Sequence, residues 1–85
     1  MNETREIRIK RLKMRSMRRG IKEMDLILQA YAGRHLEQMD AAQLDLYEAL
    51  LDENDQDLYQ WVTGQAPAPA ALAPLIGDIA QTFQV

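Results

Sequence analysis

Between Gly20 and Gly33 the apolar residues Met24, Ile27, Leu28 and Tyr31 stand at i, i+3, i+4 and i+7. That spacing lays one stripe along a helix of about 3.6 residues per turn, whereas a strand would send neighbouring side chains to opposite faces. No stretch alternates apolar with polar residues over strand length, β-branched residues are sparse, and Leu and Ala dominate. The sequence therefore predicts an all-α fold, a compact small bundle of about five helices.

Local punctuation divides the chain. A first helix is expected from Thr4 to Arg18, with Gly20 interrupting it, Ile7, Met14 and Met17 on one face, and Ile9 and Leu12 on another, two partly apolar faces that suit packing on more than one neighbour. Gly33 reads as the stop of the second helix. Asp40 with Gln43 three residues on forms a capping box, and Met39 with Leu44 a hydrophobic staple, for a third helix whose core residues are Leu44, Tyr47, Leu50 and Leu51. Asn54 or Asp55 caps a short fourth helix that carries Leu58, Trp61 and Val62 and ends at Gly64. Trp61 reads as a core anchor. Gln65 to Ala73 is a Pro/Ala linker, after which Pro74 opens a last helix with Ile76, Ile79, Ala80 and Phe83 on one face. Gly77 weakens that helix by about 1 kcal/mol relative to Ala, so looser docking is expected. Residues 1–64 form the helical domain, and residues 65–85, linker and last helix, belong to it.

The side chains available exclude several kinds of chemistry. With 85 residues, no cysteine and one histidine, the chain has no disulfide framework, zinc finger or thiolate nucleophile. It has neither a glycine-rich phosphate loop nor a G-x-S-x-G elbow, and no His paired with Ser or Asp in a nucleophile pattern. His35, at the end of the second helix, reads as a partner for the last carbonyls. The acids Asp45, Glu48, Asp52, Glu53, Asp55 and Asp57 lack the glycine turn and ligand spacing of a calcium loop and read as a solvated helix face. No enzyme activity, metal or stably bound cofactor is expected. Apolar runs are too short for a membrane helix or a secretory leader, and Glu3 and Glu6 interrupt an Arg-rich start that would otherwise suggest a mitochondrial transit peptide and that runs straight into the domain, so a cytosolic protein without a membrane partner is expected.

The formal net charge of −3 hides a division: residues 1–22 hold nine of the ten Lys/Arg against two acids, +7, and residues 23–85 hold eleven acids against Arg34, −10. Arg8, Arg11, Arg15, Arg18 and Lys22 would form one basic ridge on a continuous helix, with a local cost from like-charge repulsion. The ridge suits nucleic acid, an anionic membrane or a partner protein. A pI near 5.0 and the lack of interleaved aromatics oppose nucleic acid.

The sign changes inside Arg18-Arg19-Gly20-Ile21-Lys22-Glu23-Met24-Asp25. Here a helix break separates two cations from two carboxylates, and the carboxylates sit in a first turn that favours negative charge. Gly20 supplies either a positive φ or room for another backbone. Two readings stay open: a functional corner, or an ordinary helix–helix corner closed by an Arg–carboxylate clasp.

Arg19-Gly20-x-x-Glu23 resembles the R-G-x-x-E motif of the succinate dehydrogenase assembly factor family, the small flavinylation factors. Arg15-Ser16 before it, Glu23-Met24-Asp25, Leu50-Leu51 and Asp55-x-Asp57-Leu58-x-x-Trp61 extend the likeness over about residues 5–64. Met14 departs from it, standing near where members often carry an aromatic residue. The resemblance implies a helical assembly chaperone that binds the immature flavoprotein subunit of succinate dehydrogenase, and of the related fumarate reductase, and promotes covalent attachment of FAD to a histidine of that subunit. It implies partner-binding roles for Arg19, Gly20 and Glu23, with Arg18 and Asp25 beside them. Arg19 would pair with a carboxylate or carbonyl of the partner, Gly20 would let two backbones meet, and Glu23 would orient Arg19 or touch the partner. FAD is then the partner's cofactor, and the factor alone is expected to be a monomer. The alternative is a basic-helix nucleic-acid-binding protein acting through Arg8, Arg11, Arg15 and Arg18, or an antitoxin-like regulator.

Overall fold

The structure, a computed structural model, describes residues 3–17 and 19–82. Five helices follow one another, α1 (Arg5–Arg15), α2 (Lys22–His35), α3 (Ala41–Leu51), α4 (Asp55–Val62) and α5 (Ala73–Thr82), with a 3-10 turn at Leu36–Gln38 and no strand among the described residues. The fold is all-α, as expected. α2 is the central element, and α1, α4 and α5 all pack against it. It contributes Met24, Leu28, Tyr31 and Ala32 to a core completed by Ile9 and Leu12 of α1, Leu44, Tyr47, Leu50 and Leu51 of α3, and Leu58 of α4. Each such Leu stabilises the fold by about 1.5–3 kcal/mol through removal of its surface from water.

Helix ends follow the local signals closely. The Thr4 side chain accepts from Ile7 N at 3.2 Å. Asp40 accepts from Gln43 N at 2.8 Å while Gln43 Oε1 accepts from Asp40 N at 2.9 Å, completing the capping box, and the staple pair Met39 and Leu44 is buried. Asn54, not Asp55, caps α4 by accepting from Gln56 N at 2.8 Å. Gly64 takes φ +80°, and the bonds Gln65 N to Gln60 O at 2.8 Å and Gly64 N to Trp61 O at 3.3 Å make its turn a Schellman motif. Trp61 is half-buried against the core.

Three expectations need correction. α1 ends at Arg15 rather than Arg18: Ser16 is its C-cap, with N–H and hydroxyl both turned to Leu12 O at 3.0 and 2.8 Å, and Met17 N then turns back to Met14 O at 3.1 Å, an i→i−3 bond that breaks the α-helical ladder; Arg18 lies outside the described residues. The face of α1 that packs inward is Ile9, Leu12 and Ser16, leaving Ile7 and Met14 58% and 66% exposed. A serine can hold a core position here because its hydroxyl also meets Tyr47 OH at 2.6 Å, and among the described residues no buried side-chain nitrogen or oxygen lacks a partner. Finally, Gly33 does not stop α2, which runs on to His35 and then tightens into the 3-10 turn that buries Leu36. A Cβ at Gly33 would meet nothing within 4 Å, so the glycine is a surface position of a continuing helix.

The last segment joins the same core through Leu72, Leu75, Ile76 and Ile79. Tyr31 OH also donates to the Asp78 carboxylate, tying α2 to α5. With Ile79 fully buried, α5 is docked despite Gly77, whose missing side chain would point into open space. Phe83 lies outside the described residues.

Candidate functional site

The corner between α1 and α2 is closed by one carboxylate, that of Asp55 at the start of α4. Oδ1 accepts from Arg19 Nε, and Oδ2 accepts from the backbone N–H groups of Gly20 and, at 3.3 Å, Ile21. The remaining guanidinium nitrogens of Arg19 donate to the Leu51 and Glu53 carbonyls, both at 3.1 Å. Those carbonyls lie at the open end of α3 and in the turn after it, where negative partial charge is unpaired within the helix. The Arg19 and Asp55 side chains are only 12% and 13% exposed. Arg19 is thus a hub joining α1, α3 and α4 at the foot of α2.

An Arg–carboxylate clasp is therefore present, but its carboxylate comes from Asp55, 36 residues away, and not from Glu23 or Asp25. Asp25 is half-buried and accepts from Arg19 N at 3.4 Å. Glu23 stands exposed in the first turn of α2, with no ion-pair partner among the described residues. Gly20 has no positive φ; its requirement is space, since an added Cβ would lie 3.3 Å from Asp55 Oδ2. Its other side is open to solvent. A shallow open depression of about 580 Å³ adjoins the corner, lined by Arg15, Met17, Arg19, Gly20, Ile21, Asn54, Asp55 and Gln56.

The basic ridge of α1 lies against the acidic face of α3. Arg8 pairs with Asp45 and, at 3.0 Å, Glu48; Arg11 pairs with Glu48 at 3.0 Å and Glu3 at 2.7 Å; Arg15 pairs with Asp52 at 2.7 Å. Lys13 reaches Glu37 at 3.3 Å. Hydrogen bonds, first from Arg11 and then from Arg8, hold the Glu48 carboxyl below its usual range. These pairs correct one expectation and qualify another: Asp45, Glu48 and Asp52 are counter-charges of α1 rather than a merely solvated face, and three members of the ridge, Arg8, Arg11 and Arg15, are already engaged within the molecule, while Lys22 stays exposed. Sequence reading missed the match because Asp45, Glu48 and Asp52 recur at the same helical interval as the arginines, a signal visible only once the two helices are set side by side.

His35 lies against the Tyr31 ring, with centroids 4.4 Å apart. Tyr47 is fully buried, and burial pushes its phenol up to about 12. Among the described residues no cluster of His, Cys, Asp or Glu has the arrangement of a metal site.

The sequence model of the family described as "Flavinator of succinate dehydrogenase" (Sdh5) matches residues 10–83. The chain belongs to that family. The match takes in the linker and last helix, beyond the residues that carry the motif resemblance. Relatives in the Sdh5 family include a protein of Meyerozyma guilliermondii, 49% identical over 61 residues that make up 72% of this chain and 45% of the relative. Others are from Aedes aegypti, 41% identical over 71 residues (81% and 44%), and Mycosarcoma maydis, 40% identical over 72 residues (85% and 30%). The chain thus spans less than half the length of these relatives. All three are named succinate dehydrogenase assembly factor 2, mitochondrial. Those names overturn the expectation of a cytosolic location. That expectation rested on short apolar runs and on Glu3 and Glu6 interrupting the Arg-rich start, whereas a mitochondrial address needs no long apolar run. Among the described residues no helix is long and apolar enough to cross a membrane.

Proposed function

We propose that this chain is an assembly factor for succinate dehydrogenase that binds the immature flavoprotein subunit through the α1–α2 corner and promotes covalent attachment of FAD to it, and to the related fumarate reductase subunit. The observation that carries this reading is the division of labour at the corner: Arg19 is bonded inward by Asp55 and the carbonyls of Leu51 and Glu53, while the Gly20 backbone and Glu23 carboxylate face out on the platform it holds. A fixed corner presents its contacts without the entropy loss of ordering them on binding. Glu23 is then the group that meets a cation or N–H of the partner, Gly20 the point of close backbone approach, and Arg19 the positioning residue behind both. Asp25 tethers the loop through Arg19 N; Arg18 completes the motif's flank.

FAD does not fit the corner. The N–H groups of Gly20 and Ile21, which would cradle a pyrophosphate, already donate to Asp55, and that carboxylate would repel an anion. The flavin belongs to the partner, and this chain acts by binding the subunit conformer competent for attachment; it shifts that equilibrium only by its differential affinity.

The test is covalent flavin on the succinate dehydrogenase flavoprotein band, read by in-gel fluorescence, in cells lacking this chain and in cells carrying Glu23→Ala. Both should lose fluorescence, while purified Glu23→Ala keeps the wild-type melting temperature. Unchanged flavinylation in the deletion overturns the proposal.

A further inference from the structure

Among the described residues, four large apolar side chains stay well exposed, and three of them, Ile7, Met14 and Met17 at 58%, 66% and 38%, belong to the α1 segment; the fourth is Leu26. Ile7 and Met14 are seven residues apart, so they stand one above the other on the outer side of α1, about 10 Å apart along its axis. Lys10 lies between them. The other cations of α1 are engaged: Arg8, Arg11, Lys13 and Arg15 by carboxylates and Arg5 by the carbonyls of Glu37 and Met39, whereas exposed Lys10 has no carboxylate among the described residues. Ile7, Lys10, Arg11, Met14 and Arg15 line a shallow, mainly apolar trough of about 440 Å³. Arg15 also lines the depression beside Gly20, so the trough and the corner form one continuous surface.

Resting on the function proposed above, we infer that the outer face of α1 is a second contact for the same flavoprotein subunit, and that it receives an apolar ridge of that subunit flanked by a carboxylate. The apolar ridge would cover Ile7 and Met14, and the carboxylate would pair with Lys10, the uncompensated cation of the helix. Charge decides between this occupant and a lipid surface. The arginines beside the stripe are matched by Glu3, Asp45, Glu48 and Asp52, acids that anionic headgroups would have to approach, and the chain as a whole carries −3. A partner protein with a single carboxylate meets Lys10 without that repulsion. An exposed apolar stripe of this kind, rimmed by charge, is the usual composition of a protein contact.

The test uses the full chain and the purified apo flavoprotein subunit, with affinity measured by isothermal titration calorimetry. Ile7→Ser/Met14→Ser should weaken binding at least tenfold with the melting temperature unchanged, since both side chains are exposed. Lys10→Glu, at an exposed position, should weaken it several-fold, more at low salt than at high. If both variants bind within twofold of wild type while Glu23→Ala loses binding, the inference falls and the corner proposal stands. If wild type does not bind the subunit, both fall. Wild-type binding to phosphatidylglycerol/phosphatidylcholine vesicles, or a dimer in sedimentation velocity, that disappears in Ile7→Ser/Met14→Ser would give this face another occupant and overturn the inference.

Discussion

Asp55→Ala is the substitution that most directly probes the corner. It removes the acceptor of three donors at once, Arg19 Nε and the backbone N–H groups of Gly20 and Ile21, from a pair that is 12% and 13% exposed. Breaking a buried ion pair by deleting one partner costs about 3–5 kcal/mol, and an exposed pair about 0–1 kcal/mol. Arg19 keeps the Leu51 and Glu53 carbonyls, so its charge is not left bare, which sets the expected loss at about 2–3 kcal/mol. For a domain of this size that lowers the melting temperature by roughly 10–20 °C. The comparator is Asp52→Ala, whose side chain pairs with Arg15 but is 68% exposed; its cost should stay near 0.5 kcal/mol or roughly 3 °C. Both are read by thermal denaturation followed by circular dichroism at neutral pH, with Arg19→Met and the double variant completing a cycle whose coupling should exceed about 1 kcal/mol. If Asp55→Ala melts no lower than Asp52→Ala, the clasp does not hold the corner and the reasoning fails.

The carboxyl of Glu48 is held below its ordinary value near 4.5, chiefly by hydrogen bonding from Arg11, so its stabilisation is present above that value and is lost as pH falls through the lower folded value. Urea denaturation from neutral to acid pH should show that decline, and Glu48→Gln should flatten it, with a cost at neutral pH below about 1 kcal/mol because the cluster is open to solvent. Tyr47 shows the opposite sign: its folded value is raised from 10.0 to about 12 by burial, so its contribution holds below the unfolded value and is lost between the two. Tyr47→Phe should make the alkaline loss of stability shallower and cost about 1 kcal/mol at neutral pH through the missing bond to Ser16. Gly64→Ala, at φ +80°, should cost about 1–2 kcal/mol in the same denaturation, whereas Gly33→Ala should be neutral or stabilising.

Short-range signals proved legible where the physics is itself short-range. The Thr4, Asp40 and Asn54 caps bond within three residues of themselves, and Gly64 closes a turn with bonds to Gln60 and Trp61. The stripe of α2 alone requires a helix buried along one side, and Met24, Leu28 and Tyr31 are its buried members. The R-G-x-x-E segment was likewise recognisable as a helix break with opposed charges. Its closing partner was not, because the choice among Glu23, Asp25 and Asp55 depends on where α4 begins relative to α1, and that is set by the packing of both on α2.

The sequence by itself determined that this chain is helical, where most of its helices start, and which short segment resembles a known family's motif. Each of these follows from interactions between residues a few positions apart. Tertiary structure decided which face of α1 is buried: Ile9, Leu12 and Ser16 turn inward, the Ser16 hydroxyl bonding both Leu12 O and Tyr47 OH, and Ile7 and Met14 are left outside. It also decided what becomes of the +7 and −10 halves. Segments far apart in the chain fold against one another, arginine beside carboxylate, and the charge that first suggested an outside partner is largely answered within the molecule.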